Sequence, residues 1–171
     1  YKWPGKNHPA DSIAFETARQ FCADMTKSLP AGWRGEYECR LPTEAEWEYA
    51  CRAGTTTKFY LGNTLPVGQA NFDQDQSGST SAVGKYPKNA FGLYDMHGNI
   101  AEWCADWYAP FGSDPLVNPL ASQPTTKKVL RGGSLNSNED GCRSAARLGG
   151  GLIGSARPII GFRVVIAPKQ K

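Results

Sequence analysis

At 171 residues, with 40% hydrophobic and 20% charged side chains, the chain is long enough for one packed domain, spanning 1–171, and short for two. No apolar run approaches the ~20 residues of a membrane helix, and no stretch has the basic, apolar and small-residue order of a signal peptide. A net charge of +3, carried by scattered lysines and arginines, is too weak an electrostatic footprint for nucleic acid. The chain opens on Tyr1 rather than Met, so removal of an N-terminal segment is expected, and localisation is not readable from what remains.

Residues 11–29 place Ile13, Phe15, Ala18, Phe21, Cys22, Met25 and Leu29 at largely helical spacing before Pro30, which predicts an amphipathic helix on the core. Thr43, followed by Glu44, Ala45 and Glu46, is a capping box, and the helix it starts is expected to reach Ala53 and stop at Gly54. Trp47, Ala50 and Cys51 share one face of it; Glu44 and Glu48, four apart on another, read as solvated helix-face charges. From Thr55 to Pro124 glycine and proline punctuation is dense, leaving only short strand candidates at 82–86 and 102–108. Irregular backbone of that length needs an organiser such as aromatic anchors, disulfides or calcium. Residues 128–131 and 161–167 are apolar and β-branched enough for strands, with a glycine-rich stretch between them.

Gly-Gly-Gly-Leu-Ile-Gly at 149–154 matches a dinucleotide fingerprint in letters only, because no helix-forming sequence follows and no acidic residue arrives to hold a ribose. The five cysteines, Cys22, Cys39, Cys51, Cys104 and Cys142, form no C-x-x-C pair, and with only His8 and His97 to add they fit a structural zinc site poorly. Most read as small buried apolar side chains. No nucleophile-elbow pattern accompanies either histidine.

The specific signal is a series of blocks in order: Arg40-Leu-Pro-Thr-Glu-Ala-Glu-Trp-Glu-Tyr49 with Cys51-Arg-Ala-Gly54, Asn89-Ala-Phe-Gly-Leu-Tyr-Asp-Met-His-Gly-Asn99 with Glu102-Trp103, Arg131-Gly-Gly-Ser134, and Gly161-Phe-Arg163. Together, over about Asn7 to Val165, they resemble the formylglycine-generating-enzyme or sulfatase-modifying-factor superfamily. The resemblance implies an α+β fold of the C-type lectin-like kind, with two helices, short antiparallel strands and much irregular loop, here lacking the family's N-terminal portion. In the catalytic members the segment after the Arg-Gly-Gly-Ser block carries two cysteines that bind copper. Here 135–147 carries Cys142 alone, whereas cuprous ion wants paired thiolates. Relatives that use three histidines around iron are excluded by a chain with two. Neither copper nor iron is therefore expected, and catalytic residues are expected to be absent.

Between Asp140 and Phe162 there is no Lys, Gln, Glu, Met or Trp, although these are common elsewhere in the chain. With the frame Arg-Gly-Gly-Ser, Cys-Arg-Ser-Ala-x-Arg and Gly-Phe-Arg-Val-Val, the segment looks like the variable region of diversity-generating-retroelement proteins. An ordinary family member with a short glycine loop is the alternative. The first resemblance implies a binding module, displayed on a phage particle or microbial surface, for a protein or other exposed ligand. Leu135, Asn136, Asn138, Asp140, Gly141, Ala146, Leu148, Gly150, Leu152, Ile153 and Ile159 would gather on one exposed face, held from below by Arg131, Arg143, Arg147, Phe162 and Arg163. The second functional class is a formylglycine-generating-type oxidoreductase acting on a peptide cysteine. Resemblance also implies a Cys51–Cys142 disulfide and calcium as cofactor, at Asn71, the Phe72 carbonyl and Asp73 or Asp75, and again at Asn99 and Glu102. Asn99 as a positive-φ turn residue and Glu102 paired with an arginine such as Arg131 are the structural alternatives.

Overall fold

In the computed structural model, which describes residues 6–73, 78–112 and 116–169, the capping box sets the register of the domain's short second helix. Helix α1 spans Phe15–Ser28, strand β1 Tyr37–Arg40 and helix α2 Glu44–Arg52. In α2 the Thr43 hydroxyl accepts from the Glu46 N–H, and the Glu46 carboxylate accepts from the Thr43 N–H. Helix α1 starts later than its periodicity predicts, because Ser12 takes a positive φ of 58°. The stop of α2 is one residue early: Ala53, not Gly54, adopts the left-handed cap.

Strands β2 (Ala101–Trp107), β3 (Lys127–Arg131), β4 (Leu148–Leu152) and β5 (Ile160–Gly161) form a four-stranded sheet in the order β4-β3-β2-β5. The expectation of antiparallel strands fails at one place, since β5 runs parallel to β2. The predicted strand at 161–167 divides: β6 (Val165–Pro168) leaves for a two-stranded antiparallel ladder with β1, while Arg163, between the two pieces, is committed to a carboxylate on β2. Residues 82–86 form turns instead of a strand, because Val83 N–H goes to the Asn7 carbonyl and Gly84 N–H to the Asp95 carboxylate, leaving no ladder to join.

Three buried clusters explain why so little regular structure suffices. Phe15, Ala18 and Cys22 of α1 pack on Trp103, Leu130 and Ile160, with the Phe15 and Trp103 rings edge to face at 5.8 Å and the indole N–H donating to the Ile13 carbonyl at 2.8 Å. Trp47 and Cys51 of α2 pack with Met96, Cys104 and Val129. Phe59, Leu65, Ala70 and Phe72 gather around Cys142 and thereby anchor the long irregular region to the C-terminal segment. Large aromatic payloads supply the apolar area that longer helices would otherwise provide.

The Asp95–Asn99 turn is locked by close backbone approach. Gly98 has a φ of 77°, and a Cβ there would stand 2.1 Å from the Asn71 carbonyl oxygen, which accepts the Asn99 N–H at 2.7 Å. Backbone cannot yield as a flexible side chain would, so Gly98→Ala combines left-handed strain with a steric overlap. The expected cost is ~3 kcal/mol or more, seen as a lowered denaturant midpoint; a loss below ~1 kcal/mol would show that the approach is not a constraint.

Candidate functional site

The C-terminal segment rests on three arginine–carboxylate pairs. Arg131 is fully buried; it donates to the Ala146 and Ser144 carbonyls at 2.7 and 2.9 Å and to the Glu48 carboxylate, while Glu44 lies 3.5 Å away. Arg147 grips Glu44 with two bonds of 2.6 and 2.8 Å and lies over the rings of Tyr108 and Phe111. Arg163 makes the same forked contact with Glu102, whose carboxylate also accepts the Trp47 indole N–H at 2.7 Å. Planar guanidinium forks match carboxylates in this way, and lysine would not replace them. Glu44 is only 5% exposed, so the solvated-charge reading of Glu44 and Glu48 is corrected: both neutralise buried arginines. Of the expected frame residues, Arg143 stands apart, at the surface beside Asp140.

Above this frame the eleven expected recognition positions divide. Asn136, Asn138 and Asp140 are exposed on the turns leading into a short 3-10 segment, Asp140–Cys142, and Gly141 is half-buried there. That turn is fixed from beneath: the Ser137 carbonyl accepts from Asp73 N–H, and the Glu139 carboxylate from Leu65 N–H. Leu135 and Ala146 are buried, which corrects their expected exposure; Leu135 N–H bonds the Asn99 carbonyl and holds the side chain inward. Leu152 is 60% exposed, whereas Leu148 and Ile159 are half-buried around a separate cavity of about 390 Å³. Ile153 turns away to pack against the α1 cluster. Gly150 lies in β4, and its exposure is outside the described residues. The sequence pattern did not single out Lys127, Ser155 and Arg157, which complete that cavity's lining.

Cys51 and Cys142 do not form the expected disulfide; both are free, as are the other three cysteines. They belong to different clusters and meet at His97, whose Nδ1 lies 3.9 Å from Cys51 Sγ and 2.8 Å from the Cys142 carbonyl oxygen. Burial pushes the Cys51 thiol up to about 11 and the Cys142 thiol to about 12, so neither is a ready thiolate. A copper site on paired thiolates does not fit these side chains.

The calcium expectation meets a similar obstacle. Asn99 has the positive φ of a turn residue, and its Oδ1 accepts from Ser81 N–H at 2.9 Å and from the Asn71 side-chain amide at 3.3 Å. Both Glu102 oxygens face Arg163, not Arg131. Oxygens already committed to protein donors do not fit a cation that takes six to eight ligands. At the first expected position the Asn71 carbonyl accepts the Asn99 N–H, the Phe72 ring is in the core, the Asp73 N–H goes to the Ser137 carbonyl, and Asp75 lies outside the described residues. Among the described residues no group of three or more His, Cys, Asp or Glu is placed to hold a metal.

This geometry, an α+β scaffold whose C-terminal segment is pinned by arginine forks, defines a domain of the formylglycine-generating-enzyme type. The comparisons agree: residues 4–168 match the sulfatase-modifying factor enzyme 1-like domain, and the chain belongs to that family. It is 34% identical over 160 residues to the formylglycine-generating enzyme of Streptomyces coelicolor, a match covering 82% of this chain and 47% of that protein. The chain thus spans about half the length of that curated relative. Among solved structures, Treponema denticola variable protein 1 superposes with a TM-score of 0.79 at 25% identity, covering 95% of this chain and 72% of that one. PvdO from Pseudomonas aeruginosa gives 0.80 at 28%, covering 98% and 64%. The kinship expected from the motif blocks, to the superfamily and to variable proteins, is therefore found.

His97 supplies a pH test of the frame. A carbonyl can only accept and a backbone N–H only donate, so Nδ1 carries the proton toward Cys142 while Nε2 accepts from Tyr60 N–H at 3.2 Å. Burial holds this neutral imidazole down to about 4, below the ordinary 6.5. Between those values the unfolded chain binds the extra proton and the folded one does not, so stability is full above pH 6.5 and falls toward pH 4. The expected loss is up to ~3 kcal/mol at pH 4. An NMR titration in which the His97 ring charges near pH 6.5 would contradict this assignment.

Proposed function

We propose that this domain is a non-catalytic ligand-binding module whose recognition surface is built from the C-terminal segment 135–160. The observation that carries the reading is the state of the cysteines. The segment after Ser134 holds one, and all five thiols are buried, the most exposed being Cys39 at 4%. Thiol chemistry on a substrate needs an accessible, deprotonated sulfur, and burial works against both conditions. The arginine forks support the same reading, since they hold residues 144–147 and Arg163 while Asn136, Asn138, Asp140 and Leu152 are exposed. Likeness to a protein titled variable protein 1 adds to it. Fold alone does not decide function in a scaffold that serves several purposes.

A formylglycine-generating-type oxidoreductase is the second reading, favoured by identity to enzymes of that name. The two separate on one measurement. A Cys-x-Pro-x-Arg peptide incubated with the protein, copper, reductant and oxygen is expected to keep its mass; turnover abolished by Cys142→Ser would replace the binding reading with the enzymatic one. For the variable-receptor form of the reading, the encoding locus is expected to hold a reverse transcriptase and a near-identical template repeat covering codons 135–160. A locus without them removes sequence diversification from the proposal.

A further inference from the structure

The cavity beside β4 has a composition that points to a class of ligand. It is lined by Leu130, Leu148, Leu152, Ile159 and Ile160 together with Lys127, Ser155 and Arg157, and among the described residues no carboxylate lines it. At about 390 Å³ it is within the range of small-molecule sites. We infer that it binds an aliphatic carboxylate, with the chain on the leucine and isoleucine surface and the anionic head between Lys127 and Arg157. This deepens the binding-module reading by naming the ligand chemistry for part of the same segment.

Three observations carry the assignment. The first is charge. No Asp or Glu follows Asp140 in the sequence, so the last stretch of the chain is cationic without internal compensation. Its other described cations are engaged: Arg143 with Asp140, Arg147 with Glu44, Arg163 with Glu102, and Lys169 with the Arg34 carbonyl. Among the described residues the Lys127 amine and the Arg157 guanidinium, which both line this cavity, have no such acceptor. The second is Leu152, exposed at 60% at the end of the sheet-edge strand β4, after the three glycines 149–151. An apolar side chain held there by β3 pairing, Lys127 opposite Leu152, is surface left for a ligand to cover.

The third is polarity. Beyond the two cations the lining side chains offer one hydroxyl and no amide, so away from the backbone edge of β4 a peptide would find few partners for its own backbone groups, and unpaired amides are costly to bury. A hydrocarbon chain carries no such groups. Its burial is favoured by roughly 25 cal/mol per Å², and the single carboxylate meets the two cations.

The test uses the full chain and decanoate below its micelle concentration, followed by calorimetry and by NMR shifts of Leu152 and Ile159. Decanoate is expected to bind at least tenfold more tightly than decanol, decyltrimethylammonium or acetate. The double variant Lys127→Gln/Arg157→Gln is expected to weaken it at least tenfold with an unchanged melting temperature, and Leu152→Ser to weaken it while leaving acetate unaffected. Both sites are exposed, so folding is a separate and measurable readout. Absence of decanoate binding, equal binding of the cationic homologue, or full retention by the double variant would overturn the inference. A leucine-rich peptide acid that binds more tightly than decanoate would also overturn it, by making the occupant a polypeptide. Turnover of the Cys-x-Pro-x-Arg peptide would remove the binding-module reading without altering the decanoate titration, so the two failures are distinguishable.

Discussion

A guanidinium with no solvent exposure is costly to bury, and the arrangement around Arg131 answers the need to satisfy it. An unpaired charge at that depth would cost several kcal/mol. Glu44 and Glu48 on α2 and the Ser144 and Ala146 carbonyls therefore have to converge on one end of β3, with the Trp47 ring 5.4 Å from the guanidinium carbon. Among the described residues one of its nitrogens, Nε, still finds no partner. Through Arg131 the helix, the central strand and the C-terminal segment share one electrostatic node. Glu44 then serves Arg147 as well, which extends the node to the Ala109 carbonyl.

That node explains how a segment can be both fixed and permissive. Ser144 and Ala146 are held by their backbone carbonyls, so the contact makes little demand on their side chains. The turn around 135–142 is likewise held by Leu135 and Ser137 backbone groups and by the Glu139 side chain. Asn136, Asn138 and Asp140 project outward from this scaffold. A frame that grips main chain and leaves Asn136, Asn138 and Asp140 exposed lets those side chains differ without disturbing the contacts that hold the turn.

The thiols show how one residue type changes meaning with depth. The family resemblance implies a disulfide between Cys51 and Cys142; in the fold each sits in a different apolar cluster, with His97 as their shared neighbour. Burial that makes them good packing side chains also raises their pKa and disfavours the thiolate. His97 undergoes the corresponding shift in the opposite direction, because desolvation always opposes the charged form.

Much of the fold was legible in residues that act locally. The Thr43 capping box, the Phe15 to Cys22 stripe, and the strands at 101–107 and 127–131 depend on spacing and propensity within a few residues, and these elements stand where the sequence puts them to within a few positions. The ordered motif blocks also carried the family. Long-range pairing was not legible: that Glu102 takes Arg163 and not Arg131, that 161–167 splits between two sheets, and that Leu135 points inward are each decided by partners some 30 to 130 positions away. The cavity at β4 belongs to the same class, since Lys127, Leu152 and Arg157 meet only after the sheet has formed. Periodicity records which face of an element is apolar, whereas the choice of an ion-pair partner depends on distance and burial, and those exist only in the folded chain.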